Sequence, residues 1–139
     1  MTPAASILTR LKSESRVVVP QVEGGLRAHI AAETILRGHT VVLVGEDGQD
    51  AEGLYHDLSF LLGLDDEHAA DDGILFFPAD DKSPYEESTP DGRTTMERLS
   101  TLHRLIDERK HVRAVVTSPQ ALLRRHVPPS FFEEAGEYL

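Results

Sequence analysis

The chain has 139 residues, of which 40% are hydrophobic and 27% charged, with a formal net charge of −10 and no cysteine. That length holds one main folded unit, and the apolar-to-charged balance is that of a folded chain rather than a disordered one. Without cysteine there is no disulfide framework, thiolate zinc site or thiol nucleophile, so metal chemistry would rest on histidine and carboxylates alone. No apolar run approaches the roughly 20 residues of a membrane span, and MTPAASILTRLK lacks the apolar stretch of a secretory signal, so no membrane contact and a cytoplasmic location are expected.

In chain order, Ile7, Leu8 and Leu11 predict a short first helix. The β-branched run Arg16–Pro20 (RVVVP) predicts a strand buried on both faces. Leu26, Ile30 and Thr34 then share one helical face ahead of Gly38. A second strand is expected over Thr40–Gly45 (TVVLVG), followed by a helix carrying Leu54, Leu58, Leu61 and Leu62 ahead of Gly63. Leu64–Asp72 is an acidic connector to a third strand, Gly73–Phe77 (GILFF). Thr94 and Glu97 have capping-box spacing and open a helix with Met96, Leu99, Leu102, His103 and Ile106 on its apolar stripe and Arg109 and Lys110 at its carboxyl end. A fourth strand over Val112–Thr117 (VRAVVT) leads to Ser118-Pro119, a helix start carrying Leu122 and Leu123. Alternating strands and helices are the mark of right-handed crossover units. The expected fold class is therefore α/β, with a parallel sheet of about four strands and helices on both faces.

Charge is distributed unevenly, with six cationic against eighteen acidic side chains up to Gly92 and eight against six from Arg93 onward. An acidic domain has few cations to replace counterions on phosphates, which argues against DNA binding by these residues alone. Ligands of such sheets bind beyond the carboxyl ends of the strands, so the loop after the first strand is the first place to look for chemistry. It reads Pro20-Gln21-Val22-Glu23-Gly24-Gly25-Leu26-Arg27-Ala28. A phosphate-cradling loop needs glycines that let backbone N–H groups point at oxygens, a lysine for the outer phosphates and a hydroxyl for magnesium. Here Gly24, Gly25 and Arg27 occupy the place, yet Leu26 stands for a glycine, Arg27 for the lysine and Ala28 for the hydroxyl. Glu23 adds a negative charge where a triphosphate would lie. The loop reads as vestigial, and no bound cofactor is expected.

The loop after the third strand carries three prolines and paired carboxylates from Pro78 to Arg93. Neither Asp80-Asp81 nor Glu86-Glu87 has a histidine or further carboxylate at diagnostic spacing, so neither pair predicts catalysis or a metal. Seven histidines are scattered without H-x-x-x-H or H-E-x-x-H, and His103 is expected at the edge of the core. Ser118 precedes a proline, not the glycine of a nucleophile elbow. No catalytic residue is assigned.

The degenerate loop, the run F-P-A-D-D-K-S-P-Y-E-E-S-T-P-D, then R-L-S-T-L-H-R-L and A-V-V-T-S-P-Q-A-L-L-R-R together resemble the N-terminal region of bacterial transcription-repair coupling factors, from about Val17 to the end. Pro84-Tyr85-Glu86 and Arg98-Leu99-Ser100-Thr101-Leu102 are its specific centre. The resemblance implies a RecA-like subdomain, similar to the repair protein UvrB but without a working phosphate loop, over residues 1–126, with 127–139 opening a UvrA-binding subdomain. UvrB carries a long aromatic hairpin where this chain has a short loop with Tyr85 alone, so damage sensing does not transfer. The implied role is non-catalytic, inside a parent that displaces stalled RNA polymerase by ATP-driven translocation on DNA and recruits UvrA for nucleotide-excision repair. Partners would then be UvrA, mainly through the following subdomain, and other domains of the parent chain, with polymerase and DNA reached through those domains. Tyr85, Glu86, Arg98, Phe131 and Phe132 are the candidate contact residues. Two other classes remain open: a stand-alone nucleotide- or phosphate-binding domain using Gly24, Gly25 and Arg27, and an acidic interaction module using Asp80–Asp91.

Overall fold

The computed structural model describes residues 3–22, 24–65, 67–79, 92–107, 111–124 and 128–130. Helix α1 (Pro3–Leu11) precedes α2 (Leu26–Leu36), β1 (Val41–Val44), α3 (Gly48–Leu61), β2 (Ile74–Phe76), α4 (Gly92–Asp107), β3 (Ala114–Thr117) and α5 (Pro119–Leu123). The strands form a parallel sheet in the order β1-β3-β2, with Val41 opposite Ala114 on one side of β3 and Ile74 opposite Ala114 on the other. The α/β class with a parallel sheet therefore holds, with three strands rather than four.

The missing strand is Arg16–Pro20. Both edges of β3 are already taken by β1 and β2, so this run has no interior position left to occupy. Val17–Val19 lie in no ladder, and Val18 is 70% exposed. A run that reads as buried β-structure thus lies outside the sheet of the described residues.

Helices α2 and α3 cover one sheet face. Their Ala28, Ala31, Ala32, Ile35, Ala51, Leu54 and Leu58 pack with Ile74, Ala114 and Val116 into the core. The buried stripe of α2 is Ala28, Ala31, Ala32 and Ile35 rather than the predicted Leu26–Ile30–Thr34 face, whose residues are only half-buried, and its small side chains let α2 approach α3 and the sheet closely. In α3, Leu54 and Leu58 are buried as expected, while Leu61 lies 43% exposed past the edge of the contact. Leu75 and Phe77 alternate with Ile74 and face the opposite side, where α4 lays Arg98 over the Phe77 ring at 4.2 Å. Helices thus sit on both faces, but the second face is covered only toward β2, and Val42 and Val44 of β1 remain exposed there.

Two other local expectations change. Helix α4 starts at Gly92, so Thr94 lies inside the first turn and does not cap it; Arg93 Nε instead donates to Glu97 Oε1 at 3.3 Å. His103 sits on the solvent side of α4 with its Nε2 2.8 Å from Asp107 Oδ2, not at the core edge. Ser118 does cap α5, accepting from the Ala121 N–H, although Leu122 and Leu123 point outward and Ala121 is the residue buried. Gly73, at φ 86°, enters β2 so close to the neighbouring chain that a Cβ would collide with the His111 carbonyl oxygen. Arg109, Lys110 and the expected boundary near residue 126 fall outside the described residues.

Candidate functional site

Chemistry was expected at the turn into α2. Gly24 adopts φ 61°, a left-handed conformation suited to glycine, and Gly25 caps the helix with no side-chain hydrogen bond to its free N–H groups. Upstream, Gln21 also takes a left-handed φ of 56°, so the chain turns sharply on both sides of Val22. Leu26 begins the helix, Arg27 follows on its half-buried flank, and Ala28 is fully buried against the core.

Arg27 does not face an open anion site. Its Nη1 donates to Asp50 Oδ2 at 2.9 Å and its Nη2 to Asp50 Oδ1 at 2.8 Å, a two-pronged pair between α2 and the first turn of α3. Asp50 is itself held by α3: Asp47 caps that helix by accepting the Asp50 N–H, and Asp50 Oδ2 accepts the Glu46 N–H at 2.8 Å. The Arg27 hydrogen bonds and the Glu46 N–H hold the Asp50 carboxyl down to about 2, and Asp50 in turn raises the Arg27 guanidinium above its ordinary value. Gly45 immediately upstream has no room for a side chain, because a Cβ would lie 2.7 Å from the Ala51 nitrogen. The approach of the β1–α3 turn to α3 is thereby fixed, and with it the position of Asp50.

Around this pair lies an open depression of about 450 Å³ lined by Gly24, Gly25, Arg27, Asp47, Asp50 and Asp57 among others. Three carboxylates face one guanidinium that is already neutralised, so an incoming phosphate meets net negative charge. Arg27 Nε is buried without an acceptor among the described residues, and the two terminal nitrogens make the bonds described. Nothing in the sequence spacing marks Asp50 as the partner, since 23 residues separate it from Arg27; an aspartate three residues after a helix cap is the faint signal that was available.

The structure brings Gly24, Gly25 and Arg27 together. Arg98 is placed inward: besides stacking on Phe77 it donates from Nη1 to the Pro78 carbonyl at 2.6 Å and the Ala121 carbonyl at 3.3 Å, tying the exit of β2 to α5. Glu23, Tyr85, Glu86, Phe131 and Phe132 lie outside the described residues. Among the described residues no three His, Asp or Glu side chains converge as a metal site, and no helix is long and apolar enough to cross a membrane.

No family model matches the chain, and the comparison with solved structures finds no match. It is 34% identical over 128 residues to a transcription-repair-coupling factor of Myxococcus xanthus, an alignment that covers 91% of this chain. The chain spans about 10% of the length of that relative. The chain is thus a distant homologue of one region of a transcription-repair-coupling factor.

Proposed function

We propose that this chain is a non-catalytic, RecA-like N-terminal portion of a transcription-repair coupling factor, serving UvrA recruitment and packing against the parent's motor. The similarity to the Myxococcus xanthus factor supports the repair context. The observation that carries the non-catalytic reading is the Arg27–Asp50 pair: the one cation at the phosphate-loop position is bound bidentately by a neighbouring carboxylate. A hydroxyl for magnesium is lacking as well, because Ala28 is buried at that place. Such a domain acts by shape and surface, as a scaffold for its neighbours.

Calorimetric titration with ATP and magnesium tests the reading. The wild-type chain and Arg27→Ala are both expected to give no saturable heat up to roughly 1 mM nucleotide, a weak-binding limit near −4 kcal/mol. Saturable binding lost in Arg27→Ala would overturn it in favour of a working phosphate site. Capture of UvrA by a longer version of the chain, tested with Tyr85→Ala and Phe131→Ala, then separates a recruiting role from a purely structural one.

A further inference from the structure

Arg98 was expected as a contact residue, yet its side chain is turned into the fold at the carboxyl edge of the sheet, where two segments leave it. The β2–β3 ladder ends with the Phe77 N–H donating to Val116 O at 2.9 Å. Pro78 comes next and has no N–H with which to extend the ladder, so its carbonyl is the main-chain group left to hold. Arg98 Nη1 donates to it at 2.6 Å, while the Phe77 ring backs the guanidinium at 4.2 Å and fixes its plane. On the β3 side, Thr117 Oγ1 donates to Phe77 O at 3.0 Å, and Ser118 caps α5 by accepting the Ala121 N–H. Helix α5 has five residues, little more than one turn, so its internal hydrogen bonds do not fix its direction. Two tethers do: the Ser118 cap at its start and the second bond of Arg98 Nη1, to Ala121 O at 3.3 Å. Phe77, Thr117, Ser118 and Ala121 are all buried, which strengthens the bonds made among them.

We propose that Arg98 is a positioning residue: its shared Nη1 sets the direction in which α5 leaves the sheet by where the Pro78 carbonyl lies, so that the exit of β2 and the residues past α5 move together. Thr101 and Arg104 tie α4 to β2 and to the connector before it, whereas Arg98 reaches both β2 and α5. A cation also suits the carbonyl end of a helix. The consequence for function rests on the scaffold reading above, in which the residues after α5 open the recruiting subdomain. Arg98 then governs how that subdomain is presented.

The chain has no cysteine, so two introduced thiols carry spin labels at chosen places alone. Phe60→Cys on α3 and Leu123→Cys on α5 replace side chains that are 82% and 85% exposed, and double electron–electron resonance between them reads the direction of α5. With Arg98 intact, one narrow distance distribution is expected. Arg98→Ala broadens it, and Arg98→Lys, which loses the planar fork, lies between. Pro78→Gly, which loosens the exit of β2 and leaves Arg98 in place, broadens it as well. Thr101→Val removes the bond to Phe76 O without touching α5 and keeps the distribution narrow, which separates positioning from a general loss of stability. A broad distribution with Arg98 intact, a narrow one in Arg98→Ala or Pro78→Gly, or an equally broad one in Thr101→Val overturns the proposal. Should Arg98→Ala fail to fold, Arg98→Lys and Pro78→Gly decide. Capture of UvrA by a longer version of the chain keeps the two readings apart: none by wild type sinks the recruiting role, while the distances alone judge Arg98.

Discussion

Asp50 joins three things that the sequence keeps apart: the Gly24–Ala28 turn through Arg27, the β1–α3 turn through the Glu46 N–H, and the cap of α3 through Asp47. Its depressed pKa makes it a stability group with a definite sign. The carboxylate is favoured in the folded chain, so its contribution is complete above the ordinary value of 3.8 and is lost as pH falls through about 2. With the side chain 24% exposed, that contribution is on the order of 1–2 kcal/mol. Asp50→Asn should lower stability by this amount at neutral pH and flatten the acid limb between those two values, as read by urea unfolding across a pH series. At this scale the sequence discloses the loop and its missing lysine and hydroxyl. It does not disclose the carboxylate that neutralises Arg27, because that pairing is set by how α3 packs beside α2.

Helices and strands are largely legible where hydrophobic spacing and punctuation agree. Gly38 and Gly63 close α2 and α3, Ser118-Pro119 opens α5, and the three paired strands lie inside the predicted apolar runs. The Arg16–Pro20 run lies outside the sheet although its composition suits one: strand propensity says that a segment fits a pleated, half-buried surface, not which partner it meets. Helix α4 starts at Gly92, two residues before Thr94, and Arg93 and Glu97 pair along its first turn. Its role is that of a clasp, with Arg98 on Phe77, Pro78 and Ala121, Thr101 on Phe76, and Arg104 donating to the Ala70 carbonyl and to Asp71. Arg98→Ala should destabilise the chain by about 2 kcal/mol, through a lost cation–π contact and two carbonyls left without their donor. Arg98→Lys should recover only part of this, since an ammonium cannot stack and bridge both carbonyls; denaturant midpoints of the two variants check the order.

On the scale of the whole molecule, the acidic half of the sequence supplies Asp47, Asp50 and Asp57 to the rim of the depression beside Arg27. The acidic excess counted along the sequence thus has a location in the fold. The same scale shows what the strand order demands in time. The middle strand, β3, is the last of the three in the chain, so β1 and β2 have nothing to pair with until Ala114–Thr117 exists. Val41 donates to Arg113 across 72 residues, a longer loop to close than the one that joins Phe77 to Val116 in the β2–β3 ladder. On a ribosome the emerging chain carries helices and apolar strands without this sheet until Ala114–Thr117 has been made. Pulsed exchange on arrested nascent chains should find the Val41 and Leu43 amides unprotected until residue 117 clears the exit tunnel, then protected in one step. The sheet must wait for its middle strand, and the interval before β3 is made is when a chaperone has most to hold.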